Sequence, residues 1–196
     1  MGVDIFRRGI SRLTDPPLTA AGRAELSDGV MLEKPLEGLA HGRLTSRLAR
    51  LVGNYVEAWR LGETTGADTG YLLARTSAGP QLVYAPDVAF VSTRRLARHD
   101  QRDSYVPCAP DLAIEVVSSA DRAPDMERRV LDYLRAGSCQ VWVVYPDSQT
   151  VLVHTLERVT RLGMDGILVG SDILPGFAVS VLALFAVDTP LATARR

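Results

Sequence analysis

Lysine, cysteine and long apolar runs are scarce in this sequence. Lys34 is the only lysine, and the two cysteines, Cys108 and Cys139, lack the spacing of metal ligands. No stretch approaches the roughly 20 consecutive apolar residues of a transmembrane helix. The N-terminal residues also contain no apolar run of signal-peptide length. We therefore expect a soluble, cytoplasmic protein with no membrane partner.

An excess of either charge is also lacking. The 22 basic and 23 acidic residues give a formal net charge of -1. A global field that would attract nucleic acid is therefore excluded, and a nucleic-acid partner would require arginines concentrated on one surface. Composition neither supports nor excludes DNA as a partner.

Length and hydrophobic content indicate one globular domain. The chain has 196 residues, of which 46% are hydrophobic, enough to bury a sizeable core. Residues 1–17 are polar and irregular and are predicted to form an N-terminal tail, whereas residues 18–196 form the domain. We find no internal repeat or low-complexity linker.

Two elements are predicted in the first third of the chain. Residues 22–35 are typical of a β-hairpin that turns at Asp28 and Gly29. Over residues 42–61, apolar side chains recur at steps of three and four residues, the pattern of an amphipathic helix.

The remaining pattern alternates strands with a helix. Strands are predicted over residues 64–74, 82–91, 111–117 and 139–145. A second helix stops at Gly137, and its cap is one of three residues, namely Ser118, Ser119 or Asp121. The chain ends in a short strand and an apolar segment that is expected to pack on the core.

Two acidic residues lie on adjacent predicted strands. If residues 82–91 and 111–117 pair in antiparallel fashion, Asp87 lies beside Glu115. Alternation places both carboxylates on one face of the pair. The other face is uniformly large and apolar, with Val88, Phe90, Leu112, Ile114 and Val116.

Neighbouring carboxylates repel each other unless they are protonated or bridged by a cation. Mg²⁺, or Mn²⁺ in its place, prefers such oxygen ligands. We therefore predict a metal site at Asp87 and Glu115 that promotes hydrolysis of a phosphodiester. Asp111 shares the face of Glu115 but lies about 13 Å along the strand, so it is left out of the site.

Five segments carry a family resemblance: APDVAFV, PDLAIEVVSSADR, ERRVLDYLRAG, VWVVYPD and ILPGF. In this order they resemble the Uma-two family of restriction endonucleases, a branch of the PD-(D/E)xK nuclease superfamily, from about Leu18 to the C-terminus. The resemblance implies an α/β fold with a restriction-endonuclease-like core, in which helices flank a mixed β-sheet behind an N-terminal hairpin. It also implies that Asp87 and Glu115 are the two acids of the family, and that the protein is a homodimer.

The resemblance also concerns a lysine. The superfamily places it two residues after the second acid, where this chain has Val117. The Uma-two pattern places it on the following helix, four residues before a tyrosine; here these positions hold Arg129 and Tyr133. Arginine stays charged, so the implied catalytic role of Arg129 is electrostatic. From the residues alone, a surface ion pair of Arg129 with a nearby aspartate, Asp125 or Asp132, is an equal interpretation.

Two further residues match positions of the family pattern. His41 either contacts the site or caps the first helix. Glu33 is a candidate to hold a metal-bound water, although an ion pair at the rim of the site is an alternative.

Four arginines in a polar loop are candidates for phosphate contacts, namely Arg94, Arg95, Arg98 and Arg102.

These features favour a Mg²⁺-dependent endonuclease that acts on DNA. The first alternative is a catalytically inactive protein of nuclease fold that binds nucleic acid or a protein partner. The second is a metal site that only stabilises the fold.

Overall fold

The computed structural model describes residues 24–34, 36–77, 79–98 and 105–186. The predicted N-terminal tail and Arg102 lie outside these ranges. The described strands are β1 (Ala24–Ser27), β2 (Val30–Glu33), β3 (Gly62–Gly66), β4 (Tyr71–Thr76), β5 (Gly79–Tyr84), β6 (Val88–Ser92), β7 (Leu112–Val116), β8 (Gln140–Tyr145), β9 (Thr150–His154), β10 (Val159–Leu162), β11 (Ile167–Val169) and β12 (Ala178–Ser180). The described helices are α1 (Leu39–Trp59), α2 (Thr93–Leu96), α3 (Ala123–Arg135) and α4 (Val181–Phe185). In these ranges, no helix has both the length and the hydropathy to cross a lipid bilayer.

The N-terminal hairpin is confirmed. β1 and β2 pair in antiparallel fashion, and the turn residues Asp28 and Gly29 have φ angles of 51° and 74°. Positive φ at both positions is typical of a type I′ turn, whose twist matches that of the two strands. β1 also pairs with β5, which places the hairpin in a four-stranded sheet of order β2-β1-β5-β4.

The central sheet has six strands in the order β10-β9-β8-β7-β6-β3. β7 and β8 pair in parallel, whereas the other neighbours pair in antiparallel fashion. A parallel pair requires a crossover, and α3 provides it between β7 and β8. The predicted mixed sheet and the predicted antiparallel pairing of β6 with β7 are therefore confirmed.

Two strand predictions were wrong because each run contains two strands. Residues 64–74 include the end of β3 and the start of β4, which belong to different sheets. Residues 82–91 are likewise divided between β5 and β6. Pro86 lies at this second break, and proline cannot donate a hydrogen bond to a strand ladder. Asp87 consequently lies where the chain passes from the four-stranded sheet to the central sheet.

Helix α1 covers one face of the central sheet. Its buried residues Leu44, Leu48, Val52 and Val56 belong to one core cluster with Val88, Phe90, Leu112, Ile114, Val116 and Trp142. Fully burying a side chain of this kind contributes about 1.5–3 kcal/mol. The apolar face that was predicted for β6 and β7 is thus confirmed as the core side. The C-terminal segment closes the same cluster with Leu168, Leu174, Phe177, Val181 and Leu184.

Helix α3 covers the opposite face. Met126, Val130, Tyr133 and Leu134 are buried with Ala113, Val141 and Val143 of the central strands. The predicted caps of this helix were wrong, because its N-cap is Arg122. Asp121 instead accepts a hydrogen bond of 2.7 Å from the Ser118 N–H and closes the preceding turn. The face that bears the acidic residues is therefore covered as well.

Candidate functional site

The fold brings Asp87 and Glu115 together. Val88 pairs with Ile114 in the antiparallel register of β6 and β7, so one further step sets Asp87 opposite Glu115. Asp87 Oδ2 accepts a hydrogen bond of 2.8 Å from the Val116 N–H. The two acids are only 4% and 2% exposed. The predicted pair is therefore a buried pair at the start of one strand and near the end of its neighbour.

His41 is the third residue of this group. Its Nε2 lies 2.9 Å from the Val116 carbonyl oxygen and 3.3 Å from Asp87 Oδ2. Because a carbonyl oxygen can only accept, Nε2 carries a proton. The hydrogen bond with Asp87 raises the pKa of His41. Helix α1 has its N-cap at Gly38, so the capping interpretation of His41 was wrong, and the side chain contacts Asp87 instead.

The two carboxyl groups differ in their electrostatics. Burial disfavours ionisation of Asp87, but hydrogen bonds from His41 and the Val116 N–H outweigh it and lower the pKa of Asp87. Burial raises the pKa of Glu115, and the nearby charge of Asp87 adds to this increase. A group that favours its charged form thus lies beside one that resists it, an arrangement that is common at functional sites.

Glu115 is held from α3. The Tyr133 hydroxyl donates to Glu115 Oε1 at 2.9 Å, and Arg129 Nη1 approaches the same oxygen at 3.4 Å. Both contacts are made to Oε1 of Glu115, and Oε2 accepts neither of these two hydrogen bonds. Arg129, four residues before Tyr133 on α3, therefore brings its guanidinium directly to Glu115.

Arg129 is a cation of the site, and its main partner is Glu25. Nη1 lies 2.8 Å from Glu25 Oε1, and Nη2 lies 2.6 Å from Oε2. Its guanidinium carbon also lies 4.4 Å from the centroid of the Tyr84 ring, within the range of a cation–π contact. The alternative ion pair was wrong, because Asp132 accepts from the Tyr84 hydroxyl and Asp125 contacts Arg128.

Sequence analysis missed Glu25 and Lys34. Glu25, on β1, is 2% exposed and accepts a hydrogen bond of 2.9 Å from the Ala85 N–H. Burial opposes its ionisation, but Arg129 outweighs burial and lowers the pKa of Glu25. Lys34 Nζ lies 3.7 Å from Glu25 Oε1. A signal for Lys34 was available, since it is the single lysine of a chain that otherwise uses arginine.

Glu33 does not join the acidic group. It pairs with Ala24 at the end of the hairpin, and its side chain is exposed. Side chains alternate along a strand, and Glu25 is the hairpin acid that enters the interior.

The arginines of the predicted loop have two different environments. Arg94 and Arg98 are exposed at α2 and just after it. Arg95 Nη2 lies 3.1 Å from Asp111 Oδ1, and Arg95 Nη1 donates to the Ala109 carbonyl oxygen at 2.6 Å. Asp111 also accepts from the Ser92 N–H at 2.7 Å. Arg95 and Asp111 therefore form a pair that fixes this loop to the sheet.

The donor set can be tested against a metal ion. In the described part of the chain, no group of three or more His, Cys, Asp or Glu side chains is arranged to hold a metal ion. A site formed wholly by protein ligands is therefore not supported there. Mg²⁺ keeps several waters and commonly binds through one or two carboxylates together with substrate phosphate oxygens. The carboxylates of Asp87 and Glu115 are oxygen donors of the type that such a cation prefers.

A cleft of about 490 Å³ adjoins the group on the α1 side. His41 lines it, together with Ser118, Ser119, Tyr145 and Asp147. His41 thus contacts Asp87 with Nε2 and also borders a cleft that opens to solvent.

Comparison with known proteins identifies the family and the fold of the chain. Residues 12–184 match the model of the Uma2 family, which is described as "Putative restriction endonuclease". The chain belongs to this family. A similar solved structure is that of "a putative nuclease belonging to DUF820" from Anabaena variabilis ATCC 29413, with a TM-score of 0.71 and 18% sequence identity over 83% of this chain and 89% of that chain. At that identity the similarity shows the fold, and the predicted α/β fold of nuclease type is confirmed. No curated protein matches the chain in sequence.

Proposed function

We propose that this protein is a Mg²⁺-dependent endonuclease that hydrolyses phosphodiester bonds of DNA, with Mn²⁺ as an alternative cofactor. The observation that carries the proposal is the buried pair of Asp87 and Glu115 beside the cations Arg129 and Lys34. Membership of the Uma2 family supports it. The proposal includes action as a homodimer, which the family resemblance implies, in the cytoplasm, which is the location expected from the sequence.

In this proposal Asp87 and Glu115 hold the metal ion. The ion, when bound, supplies positive charge to a phosphoryl oxygen and lowers the pKa of an attacking water. His41 and the Val116 N–H fix the orientation of Asp87, and the Tyr133 hydroxyl fixes that of Glu115. Such hydrogen bonds to ligands orient them and tune their affinity for the metal.

The role of Arg129 is electrostatic. An arginine keeps its proton at any working pH, so it cannot act as a general base. Both terminal nitrogens of its guanidinium contact Glu25, and Nη1 also lies 3.4 Å from Glu115 Oε1. Arg129 therefore favours the ionised forms of both acids, although burial still raises the pKa of Glu115. It also adds positive potential where negative charge develops on the phosphate.

The test is cleavage of plasmid and single-stranded DNA by purified protein in Mg²⁺ or Mn²⁺. Asp87→Ala and Glu115→Ala should each abolish cleavage, whereas the exposed acid variant Glu33→Gln serves as the matched control and should retain it. Arg129→Lys should raise the rate if a proton acceptor is what the wild type lacks. Cleavage that persists in both alanine variants would show that the activity belongs to another site.

A catalytically inactive nucleic-acid-binding protein is the second candidate. The observation in its favour is that the guanidinium of Arg129 is paired with one carboxylate and lies close to a second. Salt-sensitive DNA binding without cleavage would support this function, because phosphate contacts release counterions. Cleavage that appears only in Arg129→Lys would identify the arginine as the cause of the inactivity of the wild type.

A further inference from the structure

Lys34 lies at the edge of the acidic group. It directly follows β2 on the connection to α1, and the next element supplies His41 to the site. Its Nζ is 3.7 Å from Glu25 Oε1, and its side chain is 19% exposed. Its charge also favours the ionised forms of Asp87 and Glu115. The ammonium group thus acts on three carboxylates while it remains in contact with solvent.

The two cations of the site are held differently. Arg129 is 14% exposed, and its terminal nitrogens face Glu25 and Glu115 at 2.6–3.4 Å. Lys34 has one ionic contact among the described residues, and 3.7 Å is longer than a direct hydrogen bond. An ammonium has three rotatable donors, so a weak contact with Glu25 leaves donors for an incoming anion.

The geometry therefore indicates different roles for Arg129 and Lys34. Arg129 is the internal counter-charge that balances buried acids. Among the described residues, the ammonium group of Lys34 has a single ionic contact, and it also has the solvent contact that a phosphate-binding group needs. Glu25 connects the two, because its Oε1 accepts from Arg129 and also faces Lys34.

We propose that Lys34 is the residue that contacts the phosphate group of the substrate, with Glu25 limiting the position of its ammonium group. This assignment rests on the proposed endonuclease function, because it names the residue of that site that meets the phosphodiester.

The single lysine provides a direct test by NMR. Reductive methylation with ¹³C-formaldehyde labels Lys34 and the N-terminal amine while it keeps their charge. The Lys34→Arg protein, labelled in the same way, identifies the Lys34 signal by its loss. A short DNA duplex is then added with Ca²⁺ in place of Mg²⁺, and binding is followed in parallel by fluorescence anisotropy.

The expected result is a shift of the Lys34 signal that follows the anisotropy binding curve. Duplex binding with an unmoved Lys34 signal would overturn the assignment and leave the proposed function intact. If anisotropy shows no duplex binding, both the assignment of Lys34 and the proposed function would be overturned. A purely structural ion pair with Glu25 predicts no dependence of the signal on DNA.

Kinetics provide the second readout. Removal of a donor that faces developing charge lowers the rate by about 10²–10³-fold, so Lys34→Gln should lose that much cleavage while its melting temperature stays close to wild type. Lys34→Arg should retain part of the rate because it keeps the charge. Arg50→Gln removes a positive charge from the exposed side of α1 and is the matched control. Wild-type cleavage by Lys34→Gln would overturn the proposal.

Discussion

Arg129 and Glu25 form a two-point ion pair, with Nη1–Oε1 at 2.8 Å and Nη2–Oε2 at 2.6 Å, across a separation of 104 residues in the chain. The pair connects α3, on the central sheet, to β1 of the four-stranded sheet. Bidentate geometry of this kind is characteristic of arginine and carboxylate. The acidic group is therefore a contact between two sheets as well as a candidate site.

Glu25→Gln should destabilise the protein strongly. The change leaves the Arg129 guanidinium buried with a weakened partner, and loss of one partner of a buried ion pair costs about 3–5 kcal/mol. Urea denaturation would measure the free energy of unfolding. Glu33→Gln, on the adjacent strand and exposed, should change it by less than about 0.5 kcal/mol. Equal free energies of unfolding for Glu25→Gln and Glu33→Gln would contradict a stabilising role of the Arg129–Glu25 pair.

Stability in EDTA should depend on pH through His41. The pKa of His41 is raised above its ordinary value of 6.5, so the folded state binds the proton more tightly than the unfolded state. This contribution is complete below pH 6.5 and is lost as the pH rises through the raised pKa. The difference in unfolding free energy between wild type and His41→Gln should therefore narrow above pH 6.5.

His154 provides a control of opposite sign. Burial lowers the pKa of His154, so protonation of this residue costs stability. Compared with His154→Gln, wild type should lose stability as the pH falls below the ordinary histidine pKa of 6.5. If the unfolding free energy of wild type relative to His41→Gln and relative to His154→Gln changed with pH in the same direction, the assignment of the His41 effect to Asp87 would be contradicted.

Mg²⁺ should raise the melting temperature through Asp87 and Glu115. A ligand of the folded state at one hundred times its Kd adds about 2.7 kcal/mol to the free energy of unfolding, or roughly 5–10 °C for a chain of this size. Asp87→Asn and Glu115→Gln should abolish the shift, whereas Glu33→Gln should preserve it. Tyr133→Phe, which removes the donor to Glu115, should weaken Mg²⁺ affinity about 10–100-fold.

Differential scanning fluorimetry across a Mg²⁺ titration would measure these shifts. A wild-type protein that is indifferent to Mg²⁺ would contradict both the catalytic and the purely structural interpretation of the metal site. A shift that survives in both acid variants would place the ion elsewhere.

The arginines at α2 should separate into two functional classes. Arg95→Gln removes contacts with Asp111 and the Ala109 carbonyl oxygen and should lower the free energy of unfolding by about 2 kcal/mol. The double variant Arg94→Gln with Arg98→Gln should leave stability unchanged. It should weaken DNA binding and reduce the slope of log K against log salt by about 0.9 for each lost phosphate contact.

Anisotropy titrations at several salt concentrations would decide the point. An unchanged slope in the double variant would exclude Arg94 and Arg98 from the DNA interface. An unchanged unfolding midpoint in Arg95→Gln would contradict its structural role.

Local rules were sufficient for much of the fold. The periodicity of α1, the turn at Asp28 and Gly29, and the strand alternation around Asp87 and Glu115 depend on residues close together in the chain. Antiparallel pairing of the two acidic strands was a single further assumption, and it was correct. The family resemblance rested on five short segments, two of which contain Asp87 and Glu115.

Strand ends were less well predicted. A continuous apolar run cannot show that the chain changes sheets within it, as it does at Pro86. The break depends on which partner strands are available on each side, and those partners are distant in sequence.

Amino-acid sequence alone therefore determined α1, the hairpin turn, the buried faces of β6 and β7, and the position of Asp87 beside Glu115. Tertiary structure decided which charges surround that pair. Glu25 and Lys34 enter the site because β1 pairs with β5, through Leu26 and Val83, and α3 then brings Arg129 to Glu25. Spacing along a strand or helix fixes the face on which a charge lies, whereas its partner depends on how distant elements pack, a choice set by burial of the whole core.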